Sequence, residues 1–155
     1  MSEHEYDLIV VGAGPAGSSA AYAAAKNGIK VALLEKEENV AHTVRTSGVT
    51  WIDYAREFGI PEDCYNPIKT YNFCSPNNKV SISGDKAKAA VLDVRKTYRF
   101  LAEQAKNNGA EIFVNTNVTE VITENGKVVG VKASSSNGEM IFLSLIHISE
   151  PTRPY

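Results

Sequence analysis

The run Gly12-Ala13-Gly14-Pro15-Ala16-Gly17 and the acid Glu35 have the residue types and spacing to hold a dinucleotide. The glycines follow the pattern G-x-G-x-x-G, in which each has a mechanical task. Gly12 permits the tight turn from a strand into a helix. Gly14 presents bare backbone, so a pyrophosphate can approach closely. Gly17 lets the helix pack against the strand. Unpaired N–H groups at the helix start, with the positive end of its dipole, favour phosphates. Pro15 falls in the first turn, where its missing N–H is of no consequence. A carboxylate at Glu35 can accept hydrogen bonds from both hydroxyls of an adenosine ribose. It repels a 2′-phosphate, which selects against NADP at this position.

The glycine pattern alone is weakly specific, and its context decides. Residues 6–11 (YDLIVV) form a short apolar run with β-branched residues, which suits a buried parallel strand. Residues 15–27 are rich in alanine and predict a thin helix, ended by Gly28 in a left-handed conformation. Residues 30–35 (KVALLE) give a second strand that delivers Glu35 to its end. Strand, helix and strand in about 30 residues make a βαβ unit with a right-handed crossover.

Further along, residues 37–48 read as a loop and residues 51–58 as a short helix stopped by Gly59 and Pro61. Residues 69–74 and Lys79–Ser83 predict a hairpin across Ser75-Pro76-Asn77-Asn78. Asp93 is placed to cap a helix over Val94–Asn107, closed by Gly109. Residues 111–115 (EIFVN) predict a third parallel strand. Residues 118–123 and 127–133 flank Asn125-Gly126, a two-residue hairpin signal, and residues 140–142 return after Asn137-Gly138.

The composition excludes several function classes. A net charge of −2 over 155 residues gives no basic field for nucleic acid. His4, His42 and His147 have no metal-ligand spacing, so no metal site is expected. Cys64 and Cys74 lie ten residues apart, which suits two reduced thiols rather than a close redox pair. Trp51 and Tyr54 read as core or helix-face residues. Lys86, Lys88, Arg95, Lys96 and Arg99 read as a solvated basic face, with Arg95 the one candidate exception. The start of the chain is acidic where a secretory signal would be basic, and no apolar run is long enough to span a bilayer. These features point to a cytoplasmic protein and leave a peripheral membrane contact open.

The run YDLIVVGAGPAGSSAA…VALLEK resembles the FAD-binding start of the glutathione-reductase-like flavoproteins. Within these, the middle of the chain is similar to the geranylgeranyl reductase family, which shares its fold with the aromatic hydroxylase flavoenzymes. Residues 91–113 (VLDVRKTYRFLAEQAKNNGAEIF) resemble that family's Arg-led helix followed by Gly-Ala and a strand. Residues 44–67 are similar to archaeal members. The resemblance implies FAD as cofactor, held by Gly12, Gly14, Pro15, Ala16, Gly17, Glu35, Lys36 and Arg95. It also places Arg45-Thr46-Ser47-Gly48 where many of these reductases have a Cys-Gly-Gly loop near the flavin ring. This chain lacks that cysteine, so no catalytic residue is carried over. The implied activity is reduction of C=C bonds in a geranylgeranyl lipid precursor. The implied partners are an isoprenoid lipid and an electron donor, NAD(P)H or ferredoxin. An aromatic hydroxylase of the same fold, or a non-catalytic dinucleotide-binding module, are the alternatives.

The last residues change character. Residues 143–153 (LSLIHISEPTR) are identified as the translation of a transposase adapter used in preparing sequencing libraries. The expected organisation is therefore a partial FAD-binding domain over residues 1–142 and a non-native tail over residues 143–155. The expected fold is α/β: a truncated Rossmann-type βαβ domain with β-hairpin and meander elements. The family's later Asp-Gly and Gly-Asp segments would lie beyond residue 142, and the piece alone is expected not to turn over substrate.

Overall fold

A computed structural model describes residues 2–144, so most of the segment read as adapter-encoded, residues 145–155, lies outside the described residues. The chain forms two compact units. One comprises Met1–His42 and Leu101–Tyr155, the other Thr43–Phe100.

The first unit is layered about a three-stranded parallel sheet in the order β2 (Leu8–Val11), β3 (Val31–Leu34), β9 (Glu111–Phe113). Helix α1 (Pro15–Lys26) crosses from β2 to β3, which completes the expected βαβ unit. The middle strand β3 is buried on both sides, as a covered parallel strand must be. Its side chains alternate. Val31 and Leu33 face one core with Ala21 and Ala25 of α1 and with Ala105 and Ala110, while Ala32 and Leu34 face a second core. Alanine on α1 brings the helix backbone close to the sheet.

The second core lies against a four-stranded sheet in the order β1 (Ser2–Tyr6), β12 (Gly138–Ser144), β11 (Lys127–Ser135), β10 (Asn117–Glu124). Strand β1 runs parallel to β12, and the other pairings are antiparallel. Phe142 is fully buried there and meets Phe113 edge-on at 5.1 Å between ring centres. Asn125-Gly126 joins β10 to β11 as expected, with both residues at positive φ. Strand β1 is an addition to the expected elements. Its sequence SEHEY carries no apolar alternation, because it is a sheet edge, where charge is favoured. Leu143 and Ser144 continue β12, and the Ser144 hydroxyl donates to the Asp7 carbonyl at 2.9 Å.

The second unit holds a three-stranded antiparallel sheet in the order β4 (Val49–Trp51), β8 (Ala89–Leu92), β5 (Tyr65–Ile68), with the separate hairpin β6 (Thr70–Cys74) and β7 (Lys79–Ser83). The hairpin was expected; the three-stranded sheet was not. Its strands are three or four residues long, and β5 carries Pro67, tolerated because β5 is an edge. The short helix α2 (Ile52–Glu57) begins one residue after the expected start, since Trp51 belongs to β4. Both Trp51 and Tyr54 are exposed. Helix α3 (Val94–Asn107) has the expected bounds, and Asp93 caps it by accepting from the Lys96 N–H at 3.1 Å.

Candidate cofactor-binding site

The glycine turn is fixed at its start by hydrogen bonds to β3 and its continuation. Gly12 leaves β2 at φ +94°, and its N–H donates to the Leu34 carbonyl at 2.7 Å. Ala13, buried, donates its N–H to Glu35 Oε2 at 2.8 Å. Gly14 is the N-cap of α1 in an extended conformation, with Pro15 as the first helical residue and Ala16 exposed in the first turn. A side chain at Gly17 would place its Cβ 1.9 Å from the Gly12 carbonyl oxygen, so the helix can enter here only on glycine. At Gly14 an added Cβ would meet nothing within 4 Å. The turn is therefore closed behind Gly17 and open in front of Gly14.

Glu35 follows β3 directly and is held through its main chain and its side chain. Its N–H donates to the Phe113 carbonyl at 2.8 Å, and its carbonyl accepts from the Thr116 N–H at 2.9 Å. Its carboxylate accepts from the Ala13 N–H through one oxygen and from the Glu37 N–H, at 3.0 Å, through the other. Each carboxylate oxygen can accept a second bond, which leaves one position on each for a ribose hydroxyl. Lys36 is exposed beside it. An open backbone at a helix start, bonded to a carboxylate that retains two acceptor positions, fits the adenosine diphosphate end of a dinucleotide.

The remaining expected residues belong to the second unit. Arg45, Thr46 and Ser47 are exposed, and Gly48 is buried at φ +73°. The Gly48 N–H donates to Thr46 Oγ1 at 3.3 Å, and its carbonyl accepts from the Leu92 N–H at 2.9 Å. A Cβ on Gly48 would lie 2.8 Å from both the Leu92 carbonyl oxygen and Val94 Cγ2. Gly48 is thus seated against Leu92 and Val94 at the entry to α3, where Arg95 occupies the first turn. Cys64 is buried and Cys74 exposed, and both are free. Burial, reinforced by the neighbouring Asp63 carboxylate, pushes the Cys64 thiol up, away from the reactive thiolate. Among the described residues no group of three His, Cys, Asp or Glu side chains is gathered to hold a metal ion.

The sequence reading missed Ala13 and Ser18. Ala13 links the turn to Glu35 through its main chain, which side-chain chemistry does not reveal. Ser18 does leave a signal. It shares the buried stripe of α1 with Ala21 and Ala25, at spacings of three and four, where a polar residue stands out.

The family model for FAD dependent oxidoreductases matches residues 7–146. The chain belongs to the FAD dependent oxidoreductase family. Within this flavoprotein family it is 41% identical over 115 residues to the digeranylgeranylglycerophospholipid reductase of Methanocaldococcus jannaschii, covering 72% of this chain and 29% of that protein. It is 36% identical over 141 residues to the reductase of the same name from Methanocella arvoryzae, covering 87% and 36%. Its fold superposes on the crystal structure of a geranylgeranyl bacteriochlorophyll reductase-like protein from Thermoplasma acidophilum with a TM-score of 0.82 and 30% identity, covering 92% of this chain and 38% of that one. The chain thus spans about a third of the length of these reductases. FAD is the cofactor of the family, and the geometry around Gly14 and Glu35 suits its ADP half.

Proposed function

We propose that this chain supplies the ADP-binding part of the FAD site in an oxidoreductase that reduces C=C bonds of geranylgeranyl lipid precursors. The observation that carries the reading is the reductase name shared by relatives 36–41% identical to this chain over most of its length. Gly12, Gly14, Pro15, Ala16 and Gly17 would hold the diphosphate. Glu35, with Lys36 beside it, would hold the adenosine ribose. Arg95 and the loop Arg45-Thr46-Ser47-Gly48 are further candidate FAD contacts on the strength of the family resemblance. FAD, when bound, supplies the hydride chemistry, and the protein supplies binding and orientation.

An isoprenoid lipid is the substrate of this reading, and NAD(P)H or ferredoxin the source of electrons. No helix among the described residues is long and apolar enough to cross a membrane. In this reading the protein is cytoplasmic and meets its lipid through a peripheral membrane contact. The test uses a full-length version of the protein. Purified with FAD, reduced chemically and incubated with digeranylgeranylglycerophospholipid, it should yield lipid carrying two added hydrogens for each bond saturated, read by mass spectrometry. No change in the lipid, together with a hydroxylated product when a phenolic substrate and molecular oxygen are supplied in its place, would overturn the reading in favour of a hydroxylase.

A further inference from the structure

Helix α1 is rich in alanine, yet it buries a hydroxyl. Ser18 is fully buried, whereas Ser19 beside it is exposed. Alanine would fill that position with better helix propensity and without a polar group to satisfy. The Ser18 side chain donates to the Ala13 carbonyl at 3.2 Å, while its main-chain N–H donates to the Gly14 carbonyl at 2.9 Å. One residue therefore grips two successive carbonyls at the helix entry, and only the second of these bonds belongs to the helix ladder.

The first bond has a directional consequence. No cis peptide occurs among the described residues, and in a trans peptide the C=O and N–H point opposite ways. Turning the Ala13 carbonyl toward Ser18 turns the Gly14 N–H away from it. An added Cβ at Gly14 would meet nothing within 4 Å, so no side chain stands beside this residue on that face. On the other side of Ala13, the Glu35 carboxylate takes the N–H at 2.8 Å. Ala13 is thus clamped through both its peptides. Rotation of the Ala13–Gly14 peptide would require breaking the buried Ser18 bond.

We propose that Ser18 is a positioning residue for the cofactor's diphosphate: its buried hydroxyl fixes the Ala13–Gly14 peptide so that the Gly14 N–H is presented to a phosphate oxygen. This rests on the reading of the glycine turn as the ADP-binding site. It makes a distinction that simple destabilisation does not. Ser18 acts on the phosphates and not on the ribose, so its removal should separate ligands with a diphosphate from those without.

The test titrates a full-length version of the protein and its Ser18→Ala variant, both labelled with nitrogen-15, with FAD, ADP and adenosine. In the wild type the Gly14 amide resonance should move on adding ADP and stay nearly still on adding adenosine. In Ser18→Ala the affinity for ADP and FAD should fall about tenfold, that for adenosine should stay within about twofold, and the Gly14 shift should drop by roughly half or more. Ser18→Cys retains a weak S–H donor and should fall between the two; it carries the same test if the alanine variant does not fold. Unchanged ADP affinity, or equal losses for ADP and adenosine, would overturn the role of Ser18 alone. A full-length wild-type protein that binds neither FAD nor ADP would overturn the cofactor reading and Ser18 with it.

Discussion

Replacing Gly17 and Gly14 by alanine, one at a time, should separate folding from binding within a single motif. At Gly17 the new Cβ would stand 1.9 Å from the Gly12 carbonyl oxygen and 3.3 Å from Val10 Cγ1. Ordinary contact begins near 3.4 Å, so helix and turn must part by about 1.5 Å. The obstructing atom is backbone, and the Gly12 N–H is tied to Leu34, so the strain has no flexible side chain to absorb it. We expect a loss of about 3 kcal/mol, or roughly 10 °C in Tm. FAD affinity should fall about 100-fold, because the turn no longer presents its amides in register. Gly14→Ala is the contrast. Its φ of −72° suits alanine, and its Cβ meets nothing within 4 Å. The entropy gained by removing a glycine, about 0.4–1 kcal/mol, roughly offsets the poorer N-cap. Stability should stay within about 0.5 kcal/mol of wild type. The methyl group would occupy the approach of the diphosphate, so FAD affinity should still drop by about 100-fold. Urea denaturation followed by circular dichroism reads the first quantity, and quenching of flavin fluorescence reads the second. A Gly14→Ala chain that binds FAD like wild type, or a Gly17→Ala chain as stable as wild type, would refute the reasoning.

Three further outcomes follow from the same geometry. Glu35→Gln puts an amide NH2 against one of the two N–H groups that the carboxylate now accepts, and FAD affinity by calorimetry should fall about 10- to 100-fold. Gly48→Ala forces a Cβ toward the Leu92 carbonyl at positive φ and should destabilise residues 43–100 by about 2–3 kcal/mol, seen as faster exchange of the Leu92 amide, which now donates to Gly48. Burial, and then the hydrogen bond to Glu111, raise the Tyr6 phenol above the ordinary tyrosine value, so the folded state holds this proton more tightly than the unfolded one. That contribution is complete below about pH 10 and is lost as pH rises further, by up to about 1.4 kcal/mol per pH unit. Tm measured against pH should decline above that point in the wild type and less steeply in Tyr6→Phe.

How much of this was legible depended on whether a residue's task was local. Gly12, Gly17, Pro15 and Glu35 act through backbone conformation and chain spacing, which a sequence displays directly. The helices at α1 and α3 and the Asn125-Gly126 hairpin were equally local in their signals. The sheet formed by β4, β8 and β5 was not. Ala89 and Ala90 are buried at its centre, but AAVL is too short to show a period, and Pro67 argues against a strand unless the strand is known to be an edge. Edge position is a property of the assembled sheet. The same holds for β1, whose polar residues make sense only once β12 lies beside it. In the site, the bond from Ala13 to Glu35 spans 22 residues through a main-chain N–H, so no residue type announces it.

That bond changes what Glu35 does in the site. A carboxylate at the end of the second strand can serve its ligand alone, yet here it also holds the glycine turn through the Ala13 N–H. Its two oxygens each accept one main-chain N–H, so the carboxylate is oriented before any ribose arrives. Such prior orientation lowers the entropy lost on binding. It also couples the two halves of the site through Ala13: a change that displaces the carboxylate releases the glycine turn, and a change that displaces the turn leaves the carboxylate short of a donor. Glu35 and the Gly12–Gly17 turn therefore act as one unit, and substitutions in the two should combine less than additively in their effect on cofactor affinity.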